Sequence, residues 1–269
     1  MSRITDALRS AKQKGGGFIP FVSAGDPDLV TSLSIVLKLA ELGADVIELG
    51  VPFSDPMADG PTIQRSSQRA LEGGTTLNEV LKLVAEFRKQ SDVPLVLFSY
   101  FNPILRFGIA EFCLAAATAG MDGVLLTDVI EGEAATIGSQ FAASGIELIS
   151  LIAPTTSDER MKTICENARG FVYAVSRAGV TGAQGATSSS AELLVRRARL
   201  FTDLPIAVGF GISTADQITD VWRYADAAVV GSAIVTEIER AVLREEAVGR
   251  VERFVRQLLP QFAKNGAEN

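Results

Sequence analysis

The segment Asp45-Val46-Ile47-Glu48-Leu49-Gly50 sets one carboxylate inside an apolar strand. Side chains alternate across a strand, so Ile47 and Leu49 share one face while Val46 and Glu48 share the other. The two large aliphatic groups suit a covering layer of helices, and Glu48 is therefore expected to point inward. A carboxyl there is partly desolvated; its pKa rises, and it can give and take protons near neutral pH. The competing reading is a glutamate paired with an inward lysine or arginine, and the neighbouring strands show no such cation.

The following segment, Val51-Pro52-Phe53-Ser54-Asp55-Pro56-Met57-Ala58-Asp59-Gly60-Pro61-Thr62-Ile63-Gln64, carries three prolines and two aspartates. A stiffened backbone aims carboxylates. Asp59 reads as the second member of a carboxylate pair, with one member tuned upward and the other kept ionised by a different environment. Asp55 is either functional or the acceptor of an Asx turn. Tyr173 stands in a later strand, and its phenol either orients a carboxylate or packs as a core residue. The run after that strand, Ser176-Arg177-Ala178-Gly179-Val180-Thr181-Gly182-Ala183-Gln184-Gly185, has glycines suited to a moving loop.

Two further turns suit phosphate. Gly209-Phe210-Gly211-Ile212-Ser213 and Gly231-Ser232-Ala233 each follow a short apolar run, and the second opens a helix. Exposed N–H groups at a helix N-terminus attract anions. There is no Walker A sequence and no strand–GxGxxG–helix fingerprint, which argues against nucleotides.

The chain contains no histidine, so acid–base chemistry near neutral pH falls to carboxylates, Tyr, Lys or Cys. Ser-His-Asp and Cys-His mechanisms and His-rich metal sites are excluded, and no metal ligand set is legible. With 25 basic against 32 acidic residues the net charge is −7, and no basic cluster marks a nucleic-acid partner. The two cysteines, Cys113 and Cys165, form neither a disulfide framework nor a zinc spacing. The start lacks a signal-like apolar stretch, and no run approaches the length of a membrane span. A soluble, cytoplasmic protein is the expectation.

These groups must be positioned by 269 residues that are 47% hydrophobic, enough for a substantial core. Strands are expected near Phe18–Ser23, Asp45–Gly50, Leu95–Tyr100, Gly123–Thr127, Ile146–Ile152, Phe171–Val175, Ile206–Gly209 and Ala227–Val230. Helices are expected at Leu29–Leu42, Leu77–Gln90, Ile109–Ala119, Glu133–Ser144, Asp158–Asn167, Ala191–Phe201, Ala215–Arg223 and Glu237–Phe262. Asp28, Asn78, Ser157, Ser190 and Thr214 are candidate caps. Gly43-Ala44-Asp45 and Gly120-Met121-Asp122 share one form, a glycine ending a helix and an aspartate before a strand.

Continuous apolar strands alternating with helices imply a parallel sheet covered by helices. Eight such units predict an α/β fold of the (β/α)8 barrel type spanning residues 1–269 as one domain; a doubly wound sheet is the competitor. Residues 1–14 read as an extra amphipathic helix with Ile4, Leu8 and Ala11 on one face, closing the barrel bottom. The long intervals between strand starts hold the loops Val51–Thr75 and Ser176–Ser190, which emerge at the C-terminal face where barrel active sites lie.

The block Glu48–Gln64 closely resembles the signature of the tryptophan synthase α subunit family. Phe21-Val22-Ser23-Ala24-Gly25-Asp26-Pro27, Ser176–Gly182, Gly209–Ser213 and Val230-Gly231-Ser232-Ala233-Ile234-Val235 match its other blocks in order, over essentially the whole chain. The resemblance implies retro-aldol cleavage of indole-3-glycerol phosphate to indole and glyceraldehyde 3-phosphate. It implies Glu48 as acid and base, Asp59 on the indole N–H, Tyr173 orienting Glu48, and Thr181 meeting Asp59 when its loop closes. Gly182, Gly211, Gly231 and Ser232 would hold the phosphate, with Phe21, Leu125 and Phe210 around the indole.

It also implies a β subunit that carries pyridoxal phosphate and receives the indole, in an αββα heterotetramer, with Asp55 at the contact and no cofactor in this chain. Met57 in place of a commoner Leu, and Ile130 in place of a common Pro, are departures from the family pattern. Another sugar-phosphate barrel would share the glycine turns but lack the Glu48–Asp59 block. A stand-alone lyase and a catalytically silent regulatory barrel are the remaining alternatives.

Overall fold

Eight parallel strands close on themselves in sequence order, each hydrogen-bonded to the next and the last to the first. The computed structural model describes residues 2–129, 131–175, 184–209 and 211–260. The strands are β1 (Gly17–Ser23), β2 (Ile47–Gly50), β3 (Leu95–Ser99), β4 (Gly123–Leu126), β5 (Glu147–Ile152), β6 (Val172–Val175), β7 (Ile206–Gly209) and β8 (Ala227–Val230). The helices before β5 are α1 (Arg3–Gln13), α2 (Leu29–Glu41), α3 (Pro61–Glu72), α4 (Leu77–Arg88), α5 (Phe101–Phe107), α6 (Ile109–Ala119) and α7 (Glu131–Ala143). Those after it are α8 (Asp158–Asn167), α9 (Gln184–Ala198), α10 (Ala215–Tyr224), α11 (Ser232–Glu239) and α12 (Arg244–Leu258). This is the predicted (β/α)8 barrel, not a doubly wound sheet.

Strand alternation divides the apolar residues into two layers. Ile47, Leu49, Leu95, Leu97, Val124, Val172, Ile206 and Val208 face outward into the helices. Val46, Val96, Leu125, Ile149, Phe171, Tyr173, Ala207 and Val229 fill the interior. Helix α1 closes the bottom as expected: Ile4 and Leu8 join that interior layer. The helix is capped by Ser2, whose Oγ accepts the Thr5 N–H at 3.0 Å.

The aspartates that precede strands have a shared task. Asp45 accepts the N–H of Phe18 at 2.8 Å, Asp122 that of Leu95 at 2.8 Å and Asp226 that of Ile206 at 2.7 Å. Each carboxylate thus satisfies an N–H at the start of the preceding strand, that of the first residue in β3 and β7 and of the second in β1, and pins the register between neighbours. Arg88 and Arg199 bind Asp122 and Asp226 from the helix layer.

Several expected elements differ. Segment Val51–Thr75 is not one loop: α3 starts at Pro61, a residue well suited to a first helical position. Helix α5 follows β3 directly. The helix expected over Glu237–Phe262 is two, α11 and α12, and α11 begins as soon as β8 ends. Asp28, Ser157 and Thr214 cap as expected, the last in a full capping box. Thr76, not Asn78, caps α4, and Ser190 lies inside α9, which starts at Gln184. Of the loop after β6, Ser176–Ala183 lies outside the described residues. Among the described residues no helix is long and apolar enough to cross a membrane.

Candidate active site

Glu48 stands on the inner face of β2, in register with Phe21 of β1 and Val96 of β3. It is 1% exposed. Its Oε1 has no hydrogen-bond partner among the described residues. Burial alone raises its pKa to about 8. No lysine or arginine of the described residues forms a salt bridge with it, and no nearby charge contributes to its shift. A buried carboxyl oxygen without a partner is costly and persists where something else requires it.

The loop between β2 and α3 brings Asp59 to the same end of the barrel, immediately before Gly60, the N-cap of α3. Burial raises the Asp59 pKa to about 6, against a hydrogen bond from Tyr100 that lowers it. The Tyr100 Oη donates to Asp59 Oδ2 at 3.1 Å and accepts the Ala58 N–H at 2.8 Å. Its ring packs against Phe53, with centroids 5.1 Å apart. Burial, with the Asp59 charge adding to it, pushes the phenol to about 12, so it stays a donor. Tyr100 thus clips the Asp59 loop to the end of β3. In the sequence Tyr100 is marked only as the end of a strand, and a phenol closing a strand at the C-terminal face is the one signal of its role.

Tyr173 lies inside the barrel, 6% exposed, in register with Leu151 and Ala207. Burial, then the Glu48 charge, hold its phenol well above the ordinary range. Its Oη occupies the space of the missing Gly209 side chain, where an added Cβ would lie 2.1 Å away. Leu125 is fully buried in the inner layer, and Phe21 meets Phe98 edge-on at 5.3 Å. Phe21 also spans two parts of the site. An added Cβ on Gly50 would lie 2.6 Å from its ring, and one on Gly231 would lie 3.4 Å from its Cβ.

Gly231 is the N-cap of α11 and supplies no side-chain cap to the first N–H groups of the helix. Ser232 is its first residue and is exposed. Gly211 has φ +71°, a turn that glycine adopts without strain. Thr181, Gly182 and Phe210 lie outside the described residues. Asp55 is exposed, accepts the Ser54 hydroxyl at 2.5 Å, and neighbours Met57, which is 92% exposed. Among the described residues no group of three His, Cys, Asp or Glu is placed to hold a metal ion.

Comparison with known proteins bears on this arrangement. The sequence model of the tryptophan synthase α chain family matches residues 8–263. The tryptophan synthase α chain of Citrifermentans bemidjiense is 48% identical over 241 residues, 89% of this chain and 90% of that protein. That of Caulobacter vibrioides is 50% identical over 233 residues, 86% of this chain and 85% of its own. The crystal structure of the Legionella pneumophila tryptophan synthase α subunit superposes with a TM-score of 0.89 at 34% identity, covering 98% of this chain and 99% of that one. A chain from the tryptophan synthase α2β2 complex of Pyrococcus furiosus gives a TM-score of 0.85 at 42% identity, covering 91% and 97%. A barrel with these carboxylates, matched along nearly its whole length in sequence and in structure, belongs to the tryptophan synthase α chain family.

Proposed function

We propose that this chain cleaves indole-3-glycerol phosphate to indole and glyceraldehyde 3-phosphate by a retro-aldol reaction and passes the indole to a β subunit. The observation that carries the reading is Glu48, buried at the barrel mouth with its Oε1 unpartnered and a pKa near 8. At neutral pH such a group is a carboxylic acid, able to protonate the indole ring carbon that bears the side chain. Ring protonation leaves an indolenine cation. Asp59, at about 6, is mostly ionised at the same pH and accepts the ring N–H, stabilising that cation.

The Glu48 carboxylate then takes the proton of the adjacent side-chain hydroxyl as the carbon–carbon bond breaks. One proton leaves Glu48 and one returns, so the catalyst is regenerated without an outside acid. Tyr173 orients Glu48. Phe21, Leu125 and Phe210 hold the indole in an apolar slot. Backbone groups of Gly182, Gly211 and Gly231, with Ser232, hold the phosphate at the start of α11. Thr181 hydrogen-bonds Asp59 when the loop after β6 closes, which excludes water and strengthens both carboxylate interactions.

The reading assigns no cofactor to this chain; pyridoxal phosphate belongs to the β subunit. Asp55, with exposed Met57 beside it, lies on the surface offered to that partner. The α2β2 assembly of the Pyrococcus furiosus protein supports an αββα heterotetramer here. We assign residues 1–269 to one barrel domain and place the protein in the cytoplasm, in keeping with its biosynthetic family.

Indole release is measured with the purified chain alone and then with a β subunit added. Slow release that the partner strongly stimulates is the expected result. Fast release by the chain alone would make it an independent lyase, and no release in either condition would overturn the reaction. The phosphate site has its own test. Ser232→Glu sets a second anion where the dianion should bind, and KM is expected to rise at least about tenfold while kcat changes little. An unchanged KM would move the phosphate elsewhere.

A further inference from the structure

Helices α3 and α11 each carry one end of the proposed substrate site, and charged side chains fasten them together away from both ends. Asp59 lies just before α3, and Ser232 opens α11. Arg65 and Arg69, one turn apart on α3, both bind Glu239, the last residue of α11. Arg65 binds it through two nitrogens at 2.7 and 2.8 Å, and Arg69 through one at 2.9 Å. Arg69 turns its other nitrogens to Asp26 in the turn after β1, making two bonds of 2.8 Å to a side chain that is 0% exposed. Ser23 of β1 and Ser66 of α3 add a hydroxyl contact of 2.6 Å.

Fork-on-carboxylate contacts fix orientation as well as distance. Glu239 is held down to about 2, chiefly by the Arg65 hydrogen bond, and is an anion at any working pH. Neither Glu239 nor Arg69 belongs to the acid–base or phosphate groups assigned above. We propose that Arg69, held between Asp26 and Glu239, is a positioning residue that sets the separation between the indole-binding and phosphate-binding ends of the site. The proposal rests on the reading of the site given above. A substrate that must touch both ends feels this separation, and misplacement by about 1 Å costs on the order of 10²-fold in rate. A fragment that touches one end does not feel it.

The test compares one spanning probe with two single-ended ones, by calorimetry on the full chain. The spanning probe is 3-(indol-3-yl)propyl phosphate, in which the side-chain hydroxyls are replaced by hydrogen and no cleavage is possible. The single-ended probes are glycerol 3-phosphate and indole. Glu239→Ala frees α11 from both arginines while leaving the buried Asp26–Arg69 pair intact, which makes it the variant of choice. Arg69→Lys is the second variant, since it keeps a charge beside Asp26 but loses the fork.

Both variants are expected to bind the spanning probe at least about tenfold more weakly, to bind each single-ended probe within about twofold of wild type, and to lose kcat/KM in step with the spanning probe. Glu239→Gln, which retains an acceptor, should recover part of the loss. Equal weakening of all three probes would show a merely structural contact, and unchanged binding of the spanning probe by a folded variant would show no coupling; either overturns the proposal. Failure of the wild-type chain to bind the spanning probe would instead overturn the site reading, and the proposal with it.

Discussion

Glu48→Gln is expected to abolish indole release, lowering kcat/KM by at least about 10³-fold, in a protein that folds and binds glycerol 3-phosphate as the wild type does. General acid–base groups contribute about 10² to 10⁴-fold, and here a single carboxyl acts twice, giving a proton to carbon and taking one from oxygen. The amide matches the carboxyl in shape but cannot do either. Stability separates this loss from misfolding. Burial raises the Glu48 pKa from 4.5 to about 8.

Between those values the folded state keeps a proton that the unfolded chain has released, so folding becomes less favourable as pH rises. The wild type should therefore lose more stability across that window than the Gln variant, by about 1.4 kcal/mol per pH unit from this group. The loss due to Asp59, whose pKa is raised to about 6, is common to both proteins. Urea unfolding of both proteins at pH 5 and pH 8 measures the difference. Near-normal turnover in the variant would remove Glu48 from the chemistry. A wild-type stability that tracks the variant across the window would mean the carboxyl is solvated in solution.

The inward aim of Glu48 was legible because alternation in a strand is local: Ile47 and Leu49 on the helix side leave only one direction for it. The Asp59–Tyr100 contact was not, because it joins residues 41 apart that no local pattern relates. Helix α3 is not marked in the sequence, since its buried face is Ser66, Ser67 and Ala70, small residues that fit against β1 without the large apolar stripe that marks most helices. The division between α11 and α12 did leave a trace. Ile238 and Ala247 are both buried, yet nine positions at about 100° each put them on opposite sides of a continuous helix. A stripe that jumps half a turn needs a break, and the break falls between Glu239 and Arg244, with neither Gly nor Pro to announce it. Similarly, the paired form of Asp45 and Asp122 was visible as a repeat, while its purpose required the neighbouring strand that each aspartate caps.

Asp59→Asn is expected to lower kcat/KM by about 10² to 10³-fold, the cost of losing one preorganised group that stabilises developing charge. The amide still reaches the indole N–H through its oxygen, so the loss measures the charge and not the contact. The pH profile identifies it. Asp59 must be ionised, and burial sets its pKa at about 6. A phosphate monoester also takes its second proton near about 6, and the N-terminus of α11 favours the dianion. Below pH 6 the wild-type log(kcat/KM) should therefore fall with a slope approaching two, one proton on Asp59 and one on the substrate. The Asn variant should fall with a slope of one. Both should decline above about pH 8, where Glu48 loses the proton it must donate. A variant that keeps both protons on the acid limb, or turns over at nearly the wild-type rate, would remove Asp59 from the mechanism. Glu48 would then protonate a ring whose cation must draw its stabilisation from a group other than Asp59.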